Sequence, residues 1–225
     1  MKLNVILFGA TGMVGEGVLH ETLKDPSVGS VLVIGRRSCG IANAKLTEII
    51  HTDFYDYGAI ESDLGGYDAC FFCLGVTSIG KSEAEYTRLT YDLTMAAGRT
   101  LSRLNPGMVF CYVSGAGTDS SEHGRSMWAR VKGKTENDLM RLPFRKTYAF
   151  RPGYIKPIPG LKNSFAFARA LAPLYPFLKS VLPNHVCTLE DLGMAMVQVA
   201  VAEYPGNILE CKDIASMGRA RRAKN

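Results

Sequence analysis

The sequence predicts an α/β fold, a doubly wound parallel sheet of the Rossmann type with a small C-terminal substrate-side appendage. Three observations carry that prediction. Short runs of β-branched and aromatic residues recur along the chain and are apolar throughout, as strands covered on both faces must be. Helical patterns separate these runs, the order expected of a parallel sheet. The cluster Gly9-Ala10-Thr11-Gly12-Met13-Val14-Gly15 stands directly between the first apolar run and the first helical pattern.

Residues 2–8 read as a buried strand, the glycine turn follows, and residues 13–23 read as a helix. Residues 31–34 give a second strand, ended by Gly35-Arg36-Arg37, and 45–50 a third. A short helix over 57–64 precedes a fourth strand at 69–74. A long helix over 83–104 is stopped by Asn105-Pro106-Gly107. The fifth strand is 108–113, a helix spans 125–142 before Pro143, and 146–150 is the sixth strand. Beyond it, five prolines punctuate residues 156–187. Thr188, with Asp191 three places on, then caps a helix reaching about residue 204, and 207–214 reads as a last strand. Residues 1–217 are thus expected to form one domain, with 156–206 as the appendage inside it.

The composition agrees with this plan. With 225 residues, 47% hydrophobic and 21% charged, the chain can bury one substantial core without disulfide or metal staples. A disordered chain, a collagen-like fibre and a miniature secreted scaffold are excluded. No run approaches the roughly 18 apolar residues of a membrane span. The start, MKLNVILFGATG, lacks a secretory h-region and cleavage site, so a cytoplasmic protein is expected. The net charge is +5, and Arg219, Arg221, Arg222 and Lys224 supply four of those charges. Residues 218–225 therefore read as a basic, mobile tail, and no nucleic-acid partner is expected.

Six cysteines stand at 39, 70, 73, 111, 187 and 211. Cys70 and Cys73 match CxxC, but on a strand, positions three apart point to opposite faces. No metal site is expected.

The glycine turn points to a dinucleotide. Gly9 permits a tight exit from the strand, Gly12 lets the backbone approach a pyrophosphate, and Gly15 lets helix and sheet pack closely. With Thr11, Met13 and Val14 these residues place free N–H groups and a partial positive charge at the helix start. An NAD(H) site usually has a carboxylate after the second strand; here Arg36 and Arg37 stand instead. Guanidinium groups make charge-assisted bonds to a 2′-phosphate, which favours NADP(H) over NAD(H).

At this point the chain resembles the short-chain dehydrogenase/reductase superfamily, in its atypical or extended branch, near the Tat-interactive-protein-like oxidoreductases. The resemblance covers nearly the whole chain. It rests on GATGMVG, IGRR, Asp53-Phe54, FFCLGVT, YVSGAG, WARVKGK and FRPGYI. It implies that Asp53 and Phe54 border the adenine and that Leu74, Gly75 and Val76 line the adenine and ribose. Pro152, Gly153 and Ile155 would flank the nicotinamide.

The family's chemistry uses a serine on the substrate oxygen, a tyrosine as acid/base, and a lysine four residues later. That lysine holds the ribose and lowers the phenol pKa. Ser114 and Lys132 occupy the serine and lysine places, but Trp128 stands where the tyrosine should. An indole N–H donates a hydrogen bond but does not shuttle protons near neutral pH. Substitute acids are His123, in the loop after Ser114, and Tyr154, beside Pro152-Gly153. Tyr175 and Lys179 also spell YxxxK, though outside the required place in the topology.

Two main functions compete. One is an NADP(H)-dependent oxidoreductase acting on a small carbonyl or alcohol. The other is a non-catalytic NADP(H)-binding redox sensor or regulatory protein. A third, membrane-surface or partner docking, would use residues Phe165 to Leu182. The long helices over 83–104 and 125–142 are candidates to pair in a homodimer.

Overall fold

In the computed structural model, which describes residues 2–163 and 172–224, β1 (Leu3–Phe8) runs through the centre of the sheet. Its alternate residues serve two separate cores. Val5 and Leu7 join one apolar cluster, Ile6 and Phe8 the other, and all four are fully buried. A strand covered on both faces has no polar positions to give away, hence the unbroken apolar run.

β1 pairs in parallel with β2 (Val28–Gly35) on one side and β4 (Ala69–Phe72) on the other. β3 (Leu46–Ile50) extends the sheet beyond β2; β5 (Val109–Val113) and β6 (Lys146–Arg151) extend it beyond β4. A short β9 (Ile208–Glu210) closes the far edge. The order is β3-β2-β1-β4-β5-β6-β9, with every pairing parallel. The strand order therefore reverses direction at β1 and β4, which opens a crevice at their carboxyl ends.

α1 (Met13–Lys24) covers one face with α6 (Leu189–Val201) and α7 (Cys211–Arg222). The other face carries α3 (Leu93–Leu104) and α4 (Met127–Leu139). α6 starts as expected. The Thr188 hydroxyl accepts the Asp191 N–H at 3.0 Å, and the Asp191 carboxylate accepts the Thr188 N–H at 3.3 Å. The appendage adds a two-stranded parallel sheet, β7 (Tyr154–Lys156) with β8 (Val186–Thr188), and the short helix α5 (Tyr175–Val181). Phe165, the start of the expected docking stretch, lies outside the described residues; Phe177 and Val181 farther along it are exposed. Among the described residues, no helix is long and apolar enough to cross a membrane.

Several elements differ from expectation. The stretch 83–104 is not one α-helix: α2 (Glu83–Thr87) passes into a π-helical turn, Arg88–Asp92, before α3. An inserted residue of this kind leaves amphipathic periodicity nearly intact and so escapes a pattern reading. The stretch 57–64 forms a tighter 3-10 turn, Gly58–Asp63. The expected strand over 207–214 stops at Glu210, because Glu210 and Asp213 form a reciprocal cap that starts α7. Cys70 packs in one core and Cys73 against the other, so the CxxC pair does divide between faces.

The basic C-terminal residues also need correction. Positions 218–222 are the last turns of α7, and Arg221 is buried. Its guanidinium grips the Asp25 carboxylate in bidentate fashion, at 2.8 and 2.7 Å, and also donates to the Ser27 hydroxyl. A charge count cannot show that one of several arginines is an anchor. Removing one partner of such a pair strands the other charge in the interior. Arg221→Ala should therefore lower the unfolding free energy by about 3 kcal/mol, measured by urea denaturation. Arg219→Ala, next to it on the same helix, should change little.

Candidate functional site

The site begins where β1 leaves the sheet. Gly9 has φ +87, and a Cβ there would meet the Cys73 carbonyl carbon at 2.8 Å. The left-handed conformation and the crowding both demand glycine. The chain then turns, with the Gly12 N–H donating to the Gly9 carbonyl at 2.9 Å. Gly15 passes over the same carbonyl so closely that a Cβ would lie 2.0 Å from the oxygen. Gly12 is different. It is the N-cap of α1, has no side-chain cap, and its Cβ would make an ordinary 3.5 Å contact. The N–H groups of the first turn of α1 have no intrahelical acceptor and are left for a ligand.

Three cavities adjoin along the strand ends, and Leu74 walls all of them. The first, about 360 Å³, lies between the glycine turn and the end of β2; Gly9, Thr11, Arg36, Arg37 and Phe54 line it. The second, about 210 Å³, is bounded by Phe54, Gly75 and Val76 with Thr52, Tyr55, Leu89 and Leu93. The third, about 410 Å³, opens over β5 and β6. Val14, Ser114, Lys132, Pro152, Gly153 and Ile155 line it, with Cys73 and Thr77. Together the cavities collect most of the residues singled out from sequence. Met13, Gly12 and Gly15 shape the turn behind them.

Asp53 is the exception. Its carboxylate accepts the Tyr55 N–H at 2.9 Å and lines none of the three cavities, while Thr52 and Tyr55 on either side of that stretch do. The carboxylate thus takes part in a local turn beside the second cavity. Leu89 and Leu93 were not legible beforehand because they come from the π-helical turn and the start of α3.

Arg36 and Arg37 are both exposed, and neither guanidinium has an ion pair among the described residues. The Glu48 carboxylate on β3 is engaged elsewhere, by the Ser38 hydroxyl at 2.6 Å and the Cys39 N–H at 2.7 Å. The first cavity thus has a positive wall and no acidic side chain in it.

At the other end, Lys132 donates from Nζ to the Ser114 carbonyl. Burial pushes its ammonium down to about 8, against the Glu136 carboxylate, which favours the charged form. Glu136 is itself buried and held by Arg151. The Ser114 hydroxyl donates to the Phe150 carbonyl at 3.1 Å, which anchors it at the end of β5. Trp128 is half-buried one turn before Lys132. Its ring lies beside Gly117, 3.6 Å from where that residue's Cβ would be, and it lines none of the cavities.

The proposed substitute acids are not brought in. His123 is exposed on the loop folded around the Asp119 carboxylate, which accepts the Ser121 and Gly124 N–H groups. Tyr154 sits in β7 with its N–H on the His185 carbonyl at 2.9 Å, and burial pushes its hydroxyl up. Neither lines the cavity around Lys132. Tyr175 is buried in the appendage between Lys156 and Lys179, whose ammonium groups lie 5.1 and 5.9 Å from its ring centre.

With the geometry in place, comparison with known proteins gives the class. The UDP-N-acetylglucosamine 4-epimerase of Methanobrevibacter ruminantium M1 has a similar structure (TM-score 0.66, 18% identity), covering 92% of this chain and 76% of that one. Bordetella bronchiseptica WbmG, solved in complex with NAD, is similar at TM-score 0.66 and 13% identity, over 100% of this chain and 78% of that one. These likenesses show the fold, a Rossmann-type α/β fold with a parallel sheet covered by helices on both faces. No protein-family model matches the chain. Protein fmp52, mitochondrial, of Emericella nidulans is 31% identical over 188 residues, 78% of this chain and 79% of the relative. Protein fmp52-1, mitochondrial, of Aspergillus oryzae is 33% identical over 158 residues, 68% of this chain and 66% of the relative. The chain belongs to the Fmp52 family.

These relatives are Fmp52 proteins, not the Tat-interactive-protein-like oxidoreductases that the motifs suggested. Their names also overturn the cytoplasmic expectation, since each carries "mitochondrial". The lack of a secretory h-region speaks only to the secretory route and does not separate cytoplasm from mitochondrion.

The glycines make a graded prediction. Gly15→Ala drives a methyl into the Gly9 carbonyl and should cost about 3 kcal/mol or prevent folding. Gly12→Ala should shift the thermal unfolding midpoint by no more than about 2 °C, as read by circular dichroism.

Proposed function

We propose that the chain binds NADP(H) along the groove and works as an NADP(H)-dependent oxidoreductase on a small carbonyl or alcohol. The observation that carries this reading is the pair Arg36 and Arg37. Both are without an ion pair among the described residues and line the cavity facing the glycine turn. A 2′-phosphate would meet two guanidinium groups there and no carboxylate. The groove fits the rest of such a cofactor as well. The Gly9–Gly15 approach brings the backbone of the first turn of α1 within reach of a pyrophosphate. Phe54, Leu74 and Val76 give the adenine apolar walls.

On this reading Pro152, Gly153 and Ile155 flank the nicotinamide, and Lys132 holds its ribose while Ser114 marks the substrate oxygen. Bound there, the reduced nicotinamide supplies a hydride. An NAD(H) site, as WbmG has, would be better served by an acidic side chain after β2, and the first cavity has none. The names of the Fmp52 relatives favour a mitochondrial setting.

Trp128 supports a second reading. With an indole in the tyrosine's place, the same groove would suit a cofactor-binding redox sensor that turns nothing over.

Titration calorimetry tests the cofactor assignment. NADPH should bind at least about tenfold more tightly than NADH, the scale of one charge-assisted contact. Arg36→Glu together with Arg37→Glu should abolish that preference without weakening NADH. Equal affinities in the wild type would contradict the role given to the arginines.

A further inference from the structure

We propose that Lys132 is itself the proton donor of this site, taking over the step that a tyrosine would perform from position 128. The proposal rests on the oxidoreductase reading above and concerns which side chain completes it. The geometry leaves few candidates. Among the described residues, the nicotinamide-side cavity is lined by two titratable side chains, Lys132 and Cys73. Burial pushes the Cys73 thiol up and leaves it a poor proton exchanger. Trp128 turns to Gly117, and His123 and Tyr154 lie outside the cavity walls. Lys132 lines the cavity, and its ammonium donates to the carbonyl of Ser114, which lines it too. An ammonium has three N–H groups, so that contact leaves others for a substrate oxygen.

The electrostatic setting suits the task. Glu136, one turn on along α4, is the charged group that acts on Lys132; Arg151 from β6 and Tyr112 from β5 interact with Glu136 in turn, and Cys73 at the end of β4 shares the cavity wall. Arg151 engages the Glu136 carboxylate directly, so its charge is largely compensated. Burial then dominates and brings the ammonium down to about 8, within the range in which an acid can both hold and release a proton. The reaction balances as reduction of a carbonyl. One hydride from the reduced nicotinamide goes to carbon, one proton from Lys132 Nζ goes to oxygen, and the neutral amine retakes a proton from water.

Two measurements test this, one of them independent of turnover. In the nucleotide-free protein, acylation of Lys132 by acetic anhydride, followed by peptide mass spectrometry, should be half-maximal near pH 8. An ordinary lysine titrates near pH 10.4 and would be less than about 1% neutral at pH 8. With NADPH and a panel of aldehydes and ketones, turnover should fall as pH rises through the same midpoint, because the donor loses its proton. Lys132→Arg keeps a cation but cannot release a proton there. It should still bind NADPH yet lose turnover by about a hundredfold or more. An acylation midpoint near 10, or Lys132→Arg turnover close to wild type, would overturn the proposal and leave the cofactor reading intact. A wild type that fails to bind NADPH, or binds it and reduces nothing, would sink the oxidoreductase reading and this proposal with it.

Discussion

One backbone carbonyl, that of Gly9, sets the position of everything at the strand ends. It accepts the Gly12 N–H and lies directly under Gly15, with no room for a methyl group between. That contact fixes how closely α1 approaches β1. It also fixes where the uncapped first turn of the helix points, which is into the crevice where the sheet order reverses. Side-chain chemistry acts only after this backbone arrangement is in place.

The groove has two contrasting ends. Beyond β2 the arginines stand in solvent, where charges are cheap to keep and free to meet an anion. Beyond β5 the lysine is taken out of water, and its charge becomes costly to hold. The buried Glu136–Arg151 pair beneath that end explains why the lysine is not simply salt-bridged: the nearby carboxylate is already occupied. Two exposed guanidinium groups and one desolvated ammonium thus line adjoining parts of one cleft. The apolar residues Leu74 and Val76 lie between them.

Much of this was legible from the residues alone. Unbroken apolar runs gave the parallel sheet, and Thr188 with Asp191 gave the start of α6. The positions of Gly9, Gly15, Ser114 and Lys132 relative to strand ends were readable because those roles depend on local backbone geometry. What stayed hidden depends on partners distant in sequence. Arg221 looked like tail charge because Asp25 lies 196 residues away. Leu89 and Leu93 reach the second cavity only through a π-helical turn that a helical pattern does not reveal. Asp53 is a case where the local turn adds a role that the motif does not show: its carboxylate accepts the Tyr55 N–H, while Thr52, Phe54 and Tyr55 around it line the second cavity. His123 stands on an exposed loop, and Tyr154, although its neighbours Gly153 and Ile155 line the cavity, does not line it itself.

The central claim is that an NADP(H) pyrophosphate seats on the first turn of α1, with its extra phosphate on Arg36 and Arg37. Nuclear magnetic resonance of amide-labelled protein tests it most directly. Saturating NADPH should shift the backbone amides of Gly12, Met13 and Val14 and the side-chain signals of both arginines, with the far edge at β9 unmoved. If those amides stay put while the nucleotide is bound, the cofactor sits elsewhere and the account fails.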